Sequence, residues 1–156
     1  MIEEIKKFLQ ELEESKVFQE FKKNNPIAYN SSVSKIQNQL QIDFYDPNED
    51  KITSFTKKDN EIVMQKSEIF RKEKIKIPEL KISKVKITLE EIEKIISEKY
   101  QEIPTKKIFI LQQTEFPIWN ITYLTQSLNI LNIKINAESG EIIEEKMESA
   151  LNFQKK

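Results

Sequence analysis

Trp119-Asn120-Ile121-Thr122-Tyr123 and Leu131-Asn132-Ile133-Lys134-Ile135 alternate apolar and polar side chains, and the turn Ala137-Glu138-Ser139-Gly140 leads on to Ile142-Ile143. Successive residues of a β-strand point to opposite faces, so this alternation marks strands with one dry and one wet face. Two such runs, a turn and a further apolar pair predict an antiparallel meander. Gly140 is the only glycine of the chain. Its place at the end of the turn predicts a backbone with positive φ, which is easy for glycine alone.

Upstream, Ile108-Phe109-Ile110-Leu111 predicts another strand, and Pro104 closes the connection before it. Residues 88–100 predict a helix. Thr88 and Glu91 have the spacing of a capping box, and Leu89, Ile92, Ile95, Ile96 and Tyr100 form one apolar face. The N-terminal half carries the same vocabulary. Ile2, Ile5, Phe8, Leu9 and Leu12 recur at helical spacing, and Val17, Phe18 and Phe21 resume the stripe after Glu13-Glu14-Ser15. The shift predicts a kink or two short helices within residues 2–24, ended by Asn24-Asn25-Pro26. Leu40-Gln41-Ile42-Asp43-Phe44 alternates as a strand, and Ile52 to Phe55 and Ile62-Val63-Met64 return across turns at Asp46–Asp50 and Lys57–Asn60. Tyr29 to Ile36 predicts a further strand, on a weaker pattern. Residues 67–86 are locally basic and predict an extended connection, and residues 144–156 predict a short frayed helix.

Composition narrows the chemistry. The chain has 156 residues, 33% of them charged, with 25 basic and 26 acidic side chains and a net charge of -1. That balance gives no field toward nucleic acid or anionic membranes. Arg71 is the only arginine, and sequence-specific DNA readers lean on guanidinium forks. There is no cysteine and no histidine. Disulfides, thiolate nucleophiles, cysteine zinc sites, imidazole bases and Ser-His triads are therefore excluded. A carboxylate-based enzyme stays open as an alternative, but no catalytic residue, cofactor or metal is assigned. No run approaches ~20 apolar residues, so no transmembrane helix is expected. Met1 to Lys7 is amphipathic and lacks the apolar run of a secretory signal. The expectation is a cytoplasmic protein with neither nucleic-acid nor membrane partner; it becomes extracytoplasmic if a leader has been removed.

Other patterns weigh less. Asp46, Asn48 and Asp50 alternate like the first ligands of a calcium loop, but Lys51 and Lys57 stand where glycine and a bidentate glutamate are required. Asn30-Ser31-Ser32 and Asn120-Ile121-Thr122 are glycosylation sequons, relevant only to an exported protein. Glu138, Glu141, Glu144, Glu145 and Glu148 crowd the C-terminal hairpin, either as a soluble edge or as a face for a basic partner.

The two halves look alike. Leu40 to Phe44 and Leu131 to Ile135, and Tyr29-Asn30 and Trp119-Asn120, are matching runs about 90 residues apart. This suggests a duplicated helix-plus-hairpins unit. The organisation read from the chain is residues 1–66 as a first unit, 67–86 as a connection, 87–147 as a second unit and 148–156 as a tail, in one compact domain.

Residues 87–147 resemble a PepSY domain. Ile87-Thr88-Leu89-Glu90-Glu91-Ile92 is similar to the family's strand-to-helix opening. Trp119 to Tyr123 and Ile133 to Ile143 look like its closing strand, turn and strand, with Asn136 where the family usually has aspartate. The resemblance implies a small α+β unit, a helix packed on an antiparallel sheet. It also implies a role in regulating or inhibiting peptidases, commonly outside the cytoplasm, without catalytic residues. The fold expected is thus α+β, helices packed on an antiparallel β-sheet, PepSY- or cystatin-like.

The function expected is a non-enzymatic protein-binding or regulatory module. Its candidate anchors are Phe116, Trp119 and Tyr123, because aromatics dominate recognition surfaces, and Gly140 is the structural turn. Two alternatives stand beside it: a cystatin-like cone holding a small ligand, and a structural homo-oligomer.

Overall fold

The computed structural model of the protein describes residues 2–68 and 77–149. The chain runs α1 (Ile2–Glu14), α2 (Lys16–Asn24), β1 (Tyr29–Ile36), β2 (Gln39–Asp46), β3 (Lys51–Lys58) and β4 (Glu61–Glu68). It continues with α3 (Leu89–Lys99), β5 (Pro104–Gln113), β6 (Pro117–Thr125), β7 (Asn129–Asn136) and β8 (Ile142–Ser149). The fold is α+β, with all eight strands in one antiparallel sheet ordered β4-β3-β2-β1-β5-β6-β7-β8.

The N-terminal helical pattern resolves into two helices. Ser15 breaks it: its backbone is extended, and its hydroxyl accepts a hydrogen bond from the Phe18 amide, so it caps α2. Thr88 caps α3 in a full capping box, with Thr88 Oγ1 accepting from the Glu91 amide and Glu91 Oε2 accepting from the Thr88 amide. Tight turns set the registers. Asp59 and Asn60 both have positive φ, 51° and 65°, so the β3–β4 loop has the mirror-image twist that suits a two-residue hairpin.

The frayed helix expected over residues 144–156 is not formed at its start: residues 144–149 belong to β8, paired along β7 from Asn129↔Ser149 to Ile135↔Ile142. Glu, Lys and Met are good helix formers, but the open edge of β7 offers a full ladder of backbone partners, and that tertiary pairing overrides local propensity. Residues 150–156 lie outside the described residues, as do 69–76, which include the basic run Arg71 to Lys74. Residues 67 and 68 end β4 rather than opening the connection. From 77 onward the connection runs along one end of the sheet. The Leu80 amide donates to Asn30 O, the Lys81 amide to Gln113 Oε1, and the Lys86 and Ile87 amides to Ala137 O.

The three α-helices of the described residues lie on one face. The ion pairs joining helix to strand, Lys35–Glu4, Lys57–Glu11, Lys107–Glu93 and Lys99–Glu145, arise from strand positions that share a face with Val33, Phe55, Phe109 and Ile133. The core lies between them. On the first half, Phe18 and Phe21 of α2 meet Phe44 and Phe55 with ring centroids 4.9–6.1 Å apart. On the second, Leu89, Ile92 and Ile96 of α3 join Phe109, Trp119, Ile121, Tyr123, Leu131 and Ile133. Among the described residues, the opposite face of the sheet carries no helix.

Each half therefore runs from helix into a four-stranded meander, and the order is symmetrical about the β1–β5 seam. The matched runs do not share a place in that symmetry. Leu40 to Phe44 lies in the second strand of its set, Leu131 to Ile135 in the third. What these stretches share is the turn after them. The Asp50 amide donates to Asp46 O and the Gly140 amide to Asn136 O, both at 2.8 Å, with φ of 54° and 84°. The sequence likeness follows that turn geometry.

Candidate functional site

The aromatic anchors named from the sequence occupy the interior. Trp119 is 1% exposed and Tyr123 is 5% exposed, both on the helix face of β6. The Trp119 indole N–H donates to Ile87 O at 2.9 Å, tying the connection to the sheet. Tyr123 meets Phe109 edge-on and lies under Lys107, and burial, with the charge of Glu93 adding to it, pushes its phenol up to about 12. Phe116 is half-buried in the β5–β6 turn, its carbonyl held by the Thr114 amide and hydroxyl. The alternation that singled out Trp119 and Tyr123 is the alternation of core positions, so neither ring is presented to a partner.

Gly140 sits at φ +84°, and a Cβ there would come within 3.3 Å of the Ile87 side chain. Asn136 Oδ1 accepts from the Glu138 and Ser139 amides, at 2.8 and 3.1 Å, which closes the turn. Trp119, Ile87, Ala137 and Gly140 thus form one structural node where the connection enters α3.

A concavity lies elsewhere, at the other end of the first half. A groove of about 800 Å³ opens between α1 and the β1–β2 and β3–β4 turns. Phe8 and Leu40 form its floor, and Glu4, Lys7, Glu11, Lys57, Lys58 and Asp59 its rim. Lys57 reaches across to Glu11 at 2.8 Å, and this hydrogen bond, helped by the charges of Lys57 and Lys7, lowers the Glu11 carboxyl. Lys35 holds Glu4 at 3.4 Å. Such exposed pairs are weakly held and exchange readily with water or with an incoming charge. The rim carries three cations and three anions, so the groove has no bias toward either sign. Sequence reading treated these residues as a solvated helix face and a turn. The available signal was Glu4, Lys7 and Glu11, at three- and four-residue steps, flanking Phe8 on a helix.

The remaining constellations are structural. Among the described residues, no group of three or more Asp, Glu, His or Cys side chains is arranged to hold a metal ion. In the calcium-like turn, Asp46 Oδ1 accepts from the Asn48 amide, and Asp50 accepts from the Tyr45 hydroxyl. Both sequon asparagines lie in strands: the Asn30 amide donates to Ser32 O and Asp43 O, and Asn120 Oδ1 accepts from Asn132. The C-terminal glutamates split between faces. Glu144 pairs with Lys134 and Lys146 on the open side. Glu145 takes bonds from Lys99 and Tyr100 of the α3 end, and burial together with that bond pushes the Tyr100 phenol up to about 12. The interior under α2 is filled by phenylalanine rings, so a small-ligand reading rests on the open groove.

Fold and site together describe an α+β scaffold in which no described helix is long and apolar enough to cross a membrane. No family model matches the chain, and no curated protein matches it. A solved structure described as a "putative lipoprotein" from Clostridium difficile 630 is similar, with a TM-score of 0.60 over 85% of this chain and 90% of that one, at 12% identity. At that identity the likeness is one of fold.

Proposed function

We propose that this protein is a non-enzymatic recognition module that binds an extended segment of another protein in the groove beside α1. The observation that carries the reading is the groove itself: an apolar floor of Phe8 and Leu40 under a rim of alternating charge. A peptide strand fits such a site, because its backbone and mixed side chains replace exposed ion pairs while one or two apolar residues cover the floor. Peptidases are the proposed partner class. That rests on the PepSY resemblance of residues 87–147, with the helix-then-meander order of each half in support, and it includes descent of both halves from one duplicated unit. Placement outside the cytoplasm belongs to the same proposal, supported by the description of the similar fold as a lipoprotein.

The test uses the full chain against a displayed random-peptide library, with enriched peptides resynthesised and titrated. Lys7→Glu and Lys58→Glu together change the rim from neutral to acidic. They are expected to weaken an enriched peptide by about tenfold, the effect of a lost pair of favourable contacts. Peptides that bind the variant as well as the parent overturn the groove assignment. Serine, cysteine, aspartic and metallopeptidases assayed with and without the full chain test the partner class; unchanged rates throughout overturn that part.

A further inference from the structure

We infer that the segment held beside α1 carries charges of both signs: an apolar residue over the Phe8–Leu40 floor, an acidic residue taken by Lys7 and a basic residue taken by Asp59. This rests on the groove reading and names the chemistry of its occupant. The rim is neutral in sum, but its charges are not equally available. Glu4 and Glu11, the two carboxylates of α1 on the rim, are already paired with Lys35 and Lys57 of the sheet, at 3.4 and 2.8 Å. Lys58 stands opposite Glu61 in the pair that closes the β3–β4 hairpin. Lys7 on the helix wall and Asp59 on the turn wall are left, and neither makes an ion pair or a side-chain hydrogen bond among the described residues.

Charge complementarity sets the occupant. An exposed pair exchanges easily, yet an incoming cation that displaces Lys57 from Glu11 swaps one pair for another and gains nothing. A carboxylate at Lys7 and an amine at Asp59 each form a pair where none existed. From Glu4 to Glu11 the helix rises about 10 Å, which three extended residues span. Neighbouring side chains of an extended segment point to opposite sides, so the central one faces the floor while the two beside it turn to the rim. The side-chain amides of Asn38, Gln39 and Asn60 line the same groove and offer hydrogen bonds to the backbone of the segment.

The two longer undescribed runs do not supply this occupant. Residues 69–76 join Glu68, paired with Lys51, to Ile77, whose carbonyl accepts from the Tyr29 hydroxyl. Both anchors are at the opposite end of the sheet, about 24 Å from the groove along the strands. Eight residues extend about 30 Å at most, too short to go out and return. Residues 150–156 follow Ser149 of β8, five strand spacings from β2. That is about 24 Å, which they cover only at full extension.

Four capped synthetic peptides of about nine residues test the inference, each with a central leucine and serine and glutamine flanks. The residues beside the leucine are glutamate then lysine, lysine then glutamate, two glutamates, or two lysines. Each is titrated to about 5 mM into the isotope-labelled full chain, and binding is read from the amide shifts of Asn38, Gln39 and Asn60. The better mixed-sign peptide should bind about fivefold more tightly than either like-sign peptide, and about 0.5 M salt should remove the difference. Lys7→Glu should make the two-lysine peptide the tightest. Asp59→Asn, which keeps a residue type that accepts the left-handed backbone of this position, should bring the two-glutamate peptide level with the mixed one. Equal affinities in the parent, or a preference that neither variant moves, overturn this inference and leave the groove in place. No shift with any of the four overturns the groove reading itself, and this inference with it.

Discussion

Replacing Trp119 by phenylalanine tests the node that joins the connection to the sheet. The indole is 1% exposed, and its N–H is the donor to Ile87 O. Phenylalanine removes that donor and leaves a part-buried carbonyl without it, at a cost of about 1–2 kcal/mol. It also removes about three buried heavy atoms, worth about 1–2 kcal/mol more once the residual cavity is included. The expected loss is about 3 kcal/mol, a large share of a typical stability of about 5–15 kcal/mol. Because Trp119 is the only tryptophan, fluorescence disappears with it, and urea unfolding must be followed by far-UV circular dichroism. With an m-value of about 2 kcal/mol/M, the midpoint should fall by between 1 and 2 M, as an approximate range, with m unchanged. A loss under about 1 kcal/mol would refute the reasoning. It would mean that the carbonyl finds another donor and that the node does not bind the connection. Loss of partner binding at unchanged stability would instead restore Trp119 as a recognition residue.

Gly140→Ala forces a side chain into left-handed backbone and against Ile87; it should lower stability by about 1–2 kcal/mol, read as a fall in thermal midpoint of about 3–6 °C. Thr88→Ala removes the capping box of α3 and should cost about 1 kcal/mol in the same assay, while Thr88→Ser should restore most of it. Tyr100 and Tyr123 have folded values of about 12, the first through burial and its bond to Glu145, the second through burial and the Glu93 charge. A phenol that keeps its proton in the folded state while the unfolded chain gives it up stabilises fully below about pH 10 and loses that contribution on the way to pH 12. Ultraviolet titration should therefore show part of the tyrosinate absorbance appearing only as circular dichroism is lost; complete ionisation at constant structure would contradict the burial. At the acid end, Glu145, lowered by its bonds from Lys99 and Tyr100, stabilises above the free carboxylate range and loses that contribution as pH falls through its lowered folded value. Glu145→Gln should flatten this part of the acid limb of a stability–pH curve.

Local chemistry was legible in the chain. Alternation at Trp119 to Tyr123 and Leu131 to Ile135 placed β6 and β7, because a half-buried strand requires period two. Thr88 and Glu91 placed the start of α3, because a helix terminus leaves amides that these side chains satisfy. Gly140 marked a left-handed turn, because no other side chain adopts it so easily. The same alternation misled where exposure mattered: it separates two faces of a strand but does not say which face is covered. For Trp119 and Tyr123 the sequence therefore left both core packing and partner recognition open, and burial of the helix face decided for the core.

Three features were decided by tertiary structure. Residues 144–149 became β8 because β7 offered an unpaired ladder, against their helical composition. The two meanders joined into one sheet because β1 pairs with β5, a contact between strands separated in sequence by β2, β3, β4, the connection and α3. The groove and the helix-free face arose from that assembly. Glu4, Lys7 and Glu11 meet Lys57 and Lys58 only when α1 lies over the hairpin tips, and Ile36 meets Ile108 only across the seam. Sequence by itself determined which backbone each segment prefers, since propensity, capping and alternation act within a few residues. Which surfaces are dry, open or joined was settled by contacts between distant segments, whose free energy exists only once the chain has folded.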